Sequence, residues 1–457
     1  MEQKMKRRTA LAALGAISLG VTLPDIGKAA SFPVASTCKR QQLKTDILVV
    51  GGGTAGVIAA IQAGRAGMNT VLLENGSQLG GTITTGGVAF PGIFFAWGKQ
   101  IIGGIGWELV QETVHLNGDS LPNFAVPHKK QHWKHQIRIN GPLYALLAEE
   151  KCVEAGVDIH YYETPTSISR KGDQWVINAV GKGVNTEIVC NQLIDCTGNA
   201  YVAGLVGYPL VREKETQPGT LMFKLEGYDI EALDLETLEK KYEEAVKRGD
   251  LVKSEFGNII RLLKSGGDNV QHIAGADSTT ALSHTLTNIK GRSSLLHTLR
   301  FLRTLPGCEG IRISEVQPEV AVRETYRIDG VYTITHRDYI SGKVFDDALS
   351  YSYYPIDLHT ENGVIPEQLS QDVVATIPIR ALVPRGSQNF LVAGRCISSD
   401  RKANSALRVQ ASCMGMGQAA GAAAAVACAQ KKSPLDVPLS DIRNLLTEHG
   451  GIVPLRA

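Results

Sequence analysis

Paired cysteines are missing from this chain. Its eight cysteines (Cys38, Cys152, Cys190, Cys196, Cys308, Cys396, Cys413 and Cys428) form no CxxC pair and no cluster. Zinc-ribbon, redox-dithiol and iron–sulfur chemistry therefore lack support, and the absence of CxxCH removes attached haem. Most of these cysteines read as small buried hydrophobes. An excess of one charge is missing too: Lys and Arg number 47 against 45 Asp and Glu, and no basic stripe marks a nucleic-acid surface. There is no internal repeat, and the only biased tract is an alanine-rich stretch near the C-terminus.

What the chain does have is length, glycine and a leader pattern. Its 457 residues exceed one compact core, so two domains are expected. Hydrophobic residues at 43% and charged residues at 20% are ordinary for a soluble globular enzyme. The 48 glycines gather near a few turns, as they would where backbone must approach a ligand closely. Lys4, Lys6, Arg7 and Arg8 precede an apolar run from Ala10 to Leu23, and Lys28-Ala29-Ala30-Ser31 offers small residues for cleavage. This three-part plan predicts a signal peptide over residues 1–30 and an exported, periplasmic protein. The run falls short of the about 20 apolar residues that span a bilayer, so no stable membrane anchor is expected. Arg7-Arg8 points to twin-arginine export, although Thr9-Ala10-Leu11 departs from the usual polar-Phe-Leu, and general secretion is the other route.

Asp46-Ile-Leu-Val-Val50 is a short β-branched run, as in a buried parallel strand. Gly51-Gly52-Gly53-Thr54-Ala55-Gly56 follows, then a small-residue helix from Val57 to Ala66, a second strand Thr70–Leu73, and Glu74 at its end. Each part has a mechanical role in holding a dinucleotide. Gly51 allows the tight turn, Gly53 lets backbone approach the pyrophosphate, and Gly56 permits close helix–strand contact. The helix N-terminus around Thr54 and Ala55 offers N–H groups to phosphate. Glu74 can accept hydrogen bonds from the adenosine ribose hydroxyls. A lone GxGxxG is a weak signal, but strand, helix, strand and terminal acid in order make a specific one.

Three further stretches bear on which dinucleotide. Leu79-Gly80-Gly81-Thr82 through Gly87 follows the acid, where chain would pass beside pyrophosphate and flavin. Leu193-Ile-Asp-Cys-Thr197-Gly198-Asn-Ala200 resembles a second, ATG-like motif near the adenine half, and Asn389–Arg395 resembles the late strand that returns to the ribitol. Many proteins with that late strand end it Gly-Asp; here Arg395 follows Gly394, so the ribitol contact must be made otherwise. Cys413–Val426 is nearly all Ala and Gly, with a start expected near Gly415 to Gln418. A helix N-terminus there, with Gly417 and Gln418 against the cofactor, would favour reduced, anionic flavin.

Together these segments resemble the FAD-dependent oxidoreductase family of secreted bacterial proteins, within the glutathione-reductase-like superfamily. The resemblance runs from about residue 44 to 430 and implies FAD as cofactor but little about substrate. It implies an α/β fold: a glutathione-reductase-like FAD-binding Rossmann domain with an inserted α+β cap. The FAD-binding domain is expected over 45–210 and 371–430, the cap over 211–370, and a tail over 431–457. Within the cap, Glu231–Lys247 reads as a helix and Val331–Thr335 as a strand.

Three clusters could serve the reaction. Asp357 precedes His359 by two residues, so in a strand they share a face; Asp would fix the His tautomer and raise its basicity. That pair is a general base or a surface polar pair. His132 and His135, in His-Trp-Lys-His, are candidate substrate contacts for a sugar-like or other small polar molecule, or a loop packed on the cap. No nearby cysteine or carboxylate completes a metal site there. Arg323 and Arg327 are candidate substrate contacts, sharing a face if their segment is helical. Arg408, beside the alanine-rich helix, would bind a substrate carboxylate or steady anionic flavin.

The expected reaction is hydride transfer from C–OH or C–NH of a small molecule to flavin N5. A flavin-dependent reductase of an activated double bond and a non-catalytic electron carrier are the alternatives. With no second GxGxxG, the electron acceptor is expected outside the chain: oxygen, a quinone or a protein.

Overall fold

The computed structural model describes residues 38–126, 131–252, 258–360, 363–364 and 366–454, so the expected leader over 1–30 lies outside the described residues. Strand β1 (Lys39–Val50) begins seven residues before the expected start and ends in Ile47–Val50, fully buried on both faces. It is followed by α1 (Thr54–Arg65) and β2 (Thr70–Glu74). Helices α2 (Ile105–Leu116) and α3 (Gly141–Glu154) lead to β3 (Val157–Tyr161). Asn140 accepts the Leu143 N–H and fixes the start of α3. A meander of β4 (Thr164–Lys171), β5 (Gln174–Gly181) and β6 (Val184–Asp195) follows.

These strands make one sheet. Its parallel part runs β3-β2-β1-β6, closed by β7 (Phe390–Val392) against the end of β6. The first half of β6 pairs antiparallel with β5, and β5 with β4. The carboxyl ends of β1, β2, β6 and β7 therefore meet on one edge, where ligands bind in open α/β sheets.

A second hydrophobic core draws on residues from Leu221 to Val322, away from the sheet. It includes α4 (Leu235–Arg248, capped by Asp234), α5 (Ile259–Ser265) and α6 (Ala281–Leu302). The segment 331–370, expected in the cap, contributes Ile334, Tyr339 and Leu349 to the first core, around α1 and the final helices. The reason is pairing: Val331 bonds Val383, and Gly330 bonds the Ser398 hydroxyl. Val331–Thr335 is accordingly not a strand but a loop with one bridge, Ile334 to Ser399.

Helix α7 (Gln410–Gln430) has the length and apolarity of a membrane span but is buried in the first core. It lies directly on α1: a Cβ at Gly417 would sit 2.2 Å from the Ala55 carbonyl oxygen, and one at Gly421 2.5 Å from that of Ala59. Only residues without side-chain bulk permit that contact. The final helix, α8 (Leu439–Glu448), packs its Ile442 and Leu446 into the same core.

Candidate active site

The turn after β1 has the form its glycines demand. Gly51 is left-handed (φ +97°), and a Cβ there would lie 2.6 Å from the Cys196 carbonyl oxygen. Gly56 abuts it from α1, where a Cβ would be 1.8 Å from the Gly51 oxygen. Gly53, at φ −73°, differs: a Cβ would meet no protein atom within 4 Å. No side chain caps α1, so its first N–H groups stay available to an anion beside that open space. Thr54 reaches back to the Gly80 carbonyl at 3.4 Å, and Gly81 lies on Gly53, bringing the Gly80-Gly81-Thr82 turn to the same edge.

Glu74 accepts the Gly52 N–H at 2.7 Å and the Gly76 N–H at 2.6 Å. Burial nonetheless raises its pKa. Across the edge, the fully buried Asp195 accepts the Thr197 N–H and hydroxyl and the Ala203 N–H, fixing the Thr197-Gly198 turn. Arg395 donates to the carbonyls of Gly198 and Val322. Here Arg395 replaces an acid by stitching the second turn to the segment that carries Arg323.

Beyond Val322 is a buried polar cluster. His359 Nε2 lies 3.1 Å from Asp357, and Arg408 lies 3.6 Å from the same carboxylate while donating to the Asp357 carbonyl. Gln217 Oε1 accepts from the His359 N–H and from Arg408, and Gln217 is itself held by Glu324, which also binds Arg401. Arg323 donates to the Pro218 carbonyl and to Asn269. The His272 ring packs edge-on against His359 at 5.3 Å, and Tyr354 takes a 2.6 Å hydrogen bond from Gln136. His359 Nδ1 and Arg408 Nε are buried without a hydrogen-bond partner. The start of α7 closes the cluster to the glycine-rich turn, since Gln410 donates to the Val88 carbonyl and the Ala411 N–H to that of Pro91.

The charges here settle the protonation states. Burial would raise Asp357, but the hydrogen bond with His359 and the charges of Arg408 and Arg323 hold it down to about 2. Burial lowers His359 and, with smaller contributions from Arg323 and Arg408, overcomes the opposing pull of Asp357, leaving it at about 4. Asp357 does raise the basicity of His359, as expected, but desolvation, helped by two guanidiniums, lowers it further, so the net shift is downward. Burial, with Arg323, His359 and Arg261 adding to it, lowers His272 to about 4.

A family described as FAD dependent oxidoreductase matches residues 46–446. The chain belongs to that family. It is an enzyme with FAD as its cofactor, and the uncapped α1 and the open face of Gly53 fit the pyrophosphate. Dihydrolipoyl dehydrogenase from Pseudomonas aeruginosa is 60% identical over 42 residues, 9% of this chain and 9% of that protein. Among solved structures, a geranylgeranyl bacteriochlorophyll reductase-like protein from Thermoplasma acidophilum is 11% identical, with a TM-score of 0.42 over 90% of this chain and 85% of that one. A p-nitrophenol 4-monooxygenase from Pseudomonas putida DLL-E4 is 13% identical, with a TM-score of 0.41 over 90% of this chain and 84% of that one.

Sequence-based candidates divide within this family frame. Gly51, Gly53, Thr54, Ala55, Gly56, Glu74, Gly81, Thr82, Thr197, Gly198 and Gly394 gather at the carboxyl edge of the sheet. His359, Asp357, Arg408 and Arg323 come together as one cluster, and His132 joins its border through ring contact with Tyr354 at 5.0 Å. Four others stand elsewhere. Arg327 is paired to Glu213 at 2.6 Å, and its segment is extended, so it shares no helical face with Arg323. His135 holds the Val126 carbonyl at 2.7 Å against Phe124. Gly417 is packed on Ala55, and Gln418 bonds Gln62, the His449 carbonyl and the Ile105 N–H. The physical reason is the helix start: α7 begins at Gln410, so Gly417 and Gln418 lie two turns inside it. Sequence reasoning passed over His272, Gln217, Gln410 and Tyr354. Only Tyr354 had a signal, its place at the head of Tyr354-Pro-Ile-Asp-Leu-His359.

Proposed function

We propose that this enzyme is a dehydrogenase that removes hydride from a C–OH or C–NH carbon of a small polar molecule. The Asp357–His359 pair carries this reading. Bound FAD supplies the hydride acceptor. With Nε2 turned to Asp357, the neutral ring keeps its Nδ1 lone pair free of any other hydrogen bond. It can therefore take the proton released as the carbonyl or imine forms. A reductase would need a proton donor at this position, and an imidazole neutral above about pH 4 is a poor one. Gln217, fixed by Glu324, holds the backbone of His359 and the head of Arg408 in one frame, which positions both groups. The electrons then pass to oxygen, a quinone or a protein.

Anaerobic mixing of the holoenzyme with alcohols, hydroxy acids, sugars and amines tests this. Bleaching of the flavin absorbance by one class is the expected result. If none bleaches it, while unsaturated acids reoxidise dithionite-reduced enzyme, the reductase reading replaces this one.

The pH dependence follows with a definite sign. His359 must be neutral to act as base, and its pKa is depressed, so kcat/KM should be level through the neutral range and fall only near about pH 4. Arg323, Arg408, Asp357 and His272 all face it, and removing the Arg408 charge should move this limb upward. A limb near pH 6.5 in the wild type would mean His359 is solvated and not the base. Stability carries the same signature. His359 and His272 are less basic folded than unfolded, so their effect on stability is nil above about pH 6.5 and unfavourable as pH falls from there toward 4.

A further inference from the structure

Taking the cluster around His359 as the substrate site, as proposed above, we infer that the substrate is a monoanionic 2-hydroxy acid whose carboxylate lies between Arg323 and Arg408.

The inference begins with a charge imbalance. Arg323 is 8% exposed, and its hydrogen bonds go to neutral groups, the Pro218 carbonyl and the Asn269 side chain. Arg408 donates to two neutral oxygens, has a buried Nε with no partner, and has Asp357 as its nearest acid at 3.6 Å. Asp357 is already engaged by His359. Glu324, the other buried acid here, is taken up by Gln217 and Arg401. His272 and His359 stay neutral and add no charge. Among the described residues, Arg323 and Arg408 thus face one carboxylate in a site removed from water, the buried Arg395 beside Arg408 donates only to backbone carbonyls, and Arg408 raises the electrostatic cost of both its neighbours. Buried charges persist when they are paired, so the site lacks negative charge beside Arg323 and Arg408. A carboxylate supplies it, with lone pairs enough for both guanidiniums.

The same groups choose between hydroxy and amino acids. An ammonium would enter beside two cations, with no uncommitted carboxylate to receive it. A hydroxyl enters at no such cost and can give its proton to His359 Nδ1. In the step, the substrate O–H bond breaks and its proton goes to Nδ1. The C–H bond on the same carbon breaks and its electron pair leaves as hydride to oxidised FAD. The C=O bond forms, so the 2-hydroxy acid is oxidised to a 2-oxo acid and FAD is reduced.

The test uses FAD-loaded enzyme and matched compounds: lactate, 2-hydroxybutyrate and mandelate, each beside its neutral amide and its 2-amino counterpart. Anaerobic flavin reduction should be at least about 100-fold faster for an acid than for its amide, and the amino acid should gain nothing over the amide. Arg408→Gln should erase this discrimination and Arg408→Lys should restore part of it, with bound flavin reporting that both variants fold. Equal rates for acid and amide would overturn the carboxylate assignment while leaving the dehydrogenase reading intact. No bleaching by these compounds or by any alcohol or amine would sink both together. Intact discrimination in Arg408→Gln, with a lowered flavin midpoint potential, would assign the guanidinium to reduced flavin and contradict the proposal.

Discussion

Gly53→Ala should fold normally and purify without flavin. The residue has φ −73°, which alanine adopts freely, and the added methyl meets no protein atom within 4 Å. Nothing in the protein opposes the change. The methyl instead occupies the space beside the first N–H groups of α1, where the pyrophosphate must come close. Gly56→Ala is the contrast: its methyl would stand 1.8 Å from the Gly51 carbonyl oxygen and 3.0 Å from the Cys196 side chain. Relief requires α1 to move off β1, at a cost of about 1–3 kcal/mol or more. Thermal unfolding and flavin content, measured together, separate the two. Gly53→Ala should keep its melting temperature as apoprotein and lose the cofactor, whereas Gly56→Ala should lose both. Full flavin occupancy in Gly53→Ala would place the cofactor somewhere other than this edge.

His359→Gln should retain FAD and reduce it about 10²- to 10⁴-fold more slowly, the range expected for loss of a positioned general base. Glutamine keeps a polar side chain near Asp357 but offers no basic nitrogen. The backbone N–H of residue 359 remains bonded to Gln217, so the frame that also holds Arg408 should survive. Single-turnover reduction isolates the step, since reoxidation by the acceptor does not enter it. A rate within a few-fold of wild type would remove His359 from the chemistry and leave Asp357–His359 as a structural pair.

The geometry of the glycine turn was legible because its logic is local. Strand, glycine turn, helix and acid follow one another between Asp46 and Glu74, and each geometric role is set by a residue type within a few positions. The buried polar cluster proposed to carry the reaction was only partly legible. Asp357 and His359 are two residues apart and meet as expected, yet their protonation depends on Arg323 and Arg408, from distant segments. Arg323 and Arg327 look alike in sequence, and Glu213 separates them by pairing with only one. The start of α7 was misplaced because alanine and glycine mark no boundary. Val409 provides no side-chain cap, and the N-terminal amide of Ala411 finds its acceptor in Pro91, more than three hundred residues earlier. His272 enters from the segment before α6 and is visible only once the chain is folded.

The carboxyl edge of the sheet, with its glycine-rich turn, and the His359 cluster are joined through Arg395, Val322 and Gln410, and the proposed chemistry requires that they be one site. A crystal structure of the FAD-loaded enzyme measures this directly. The reactive edge of the flavin should face the space bordered by Arg323, Arg408 and His359. Nδ1 should lie within about 6 Å of flavin N5, two hydrogen-bond lengths, so that one small molecule can touch both. A flavin ring directed elsewhere, with His359 beyond the reach of anything resting on N5, would contradict the assignment of this cluster as the place of reaction.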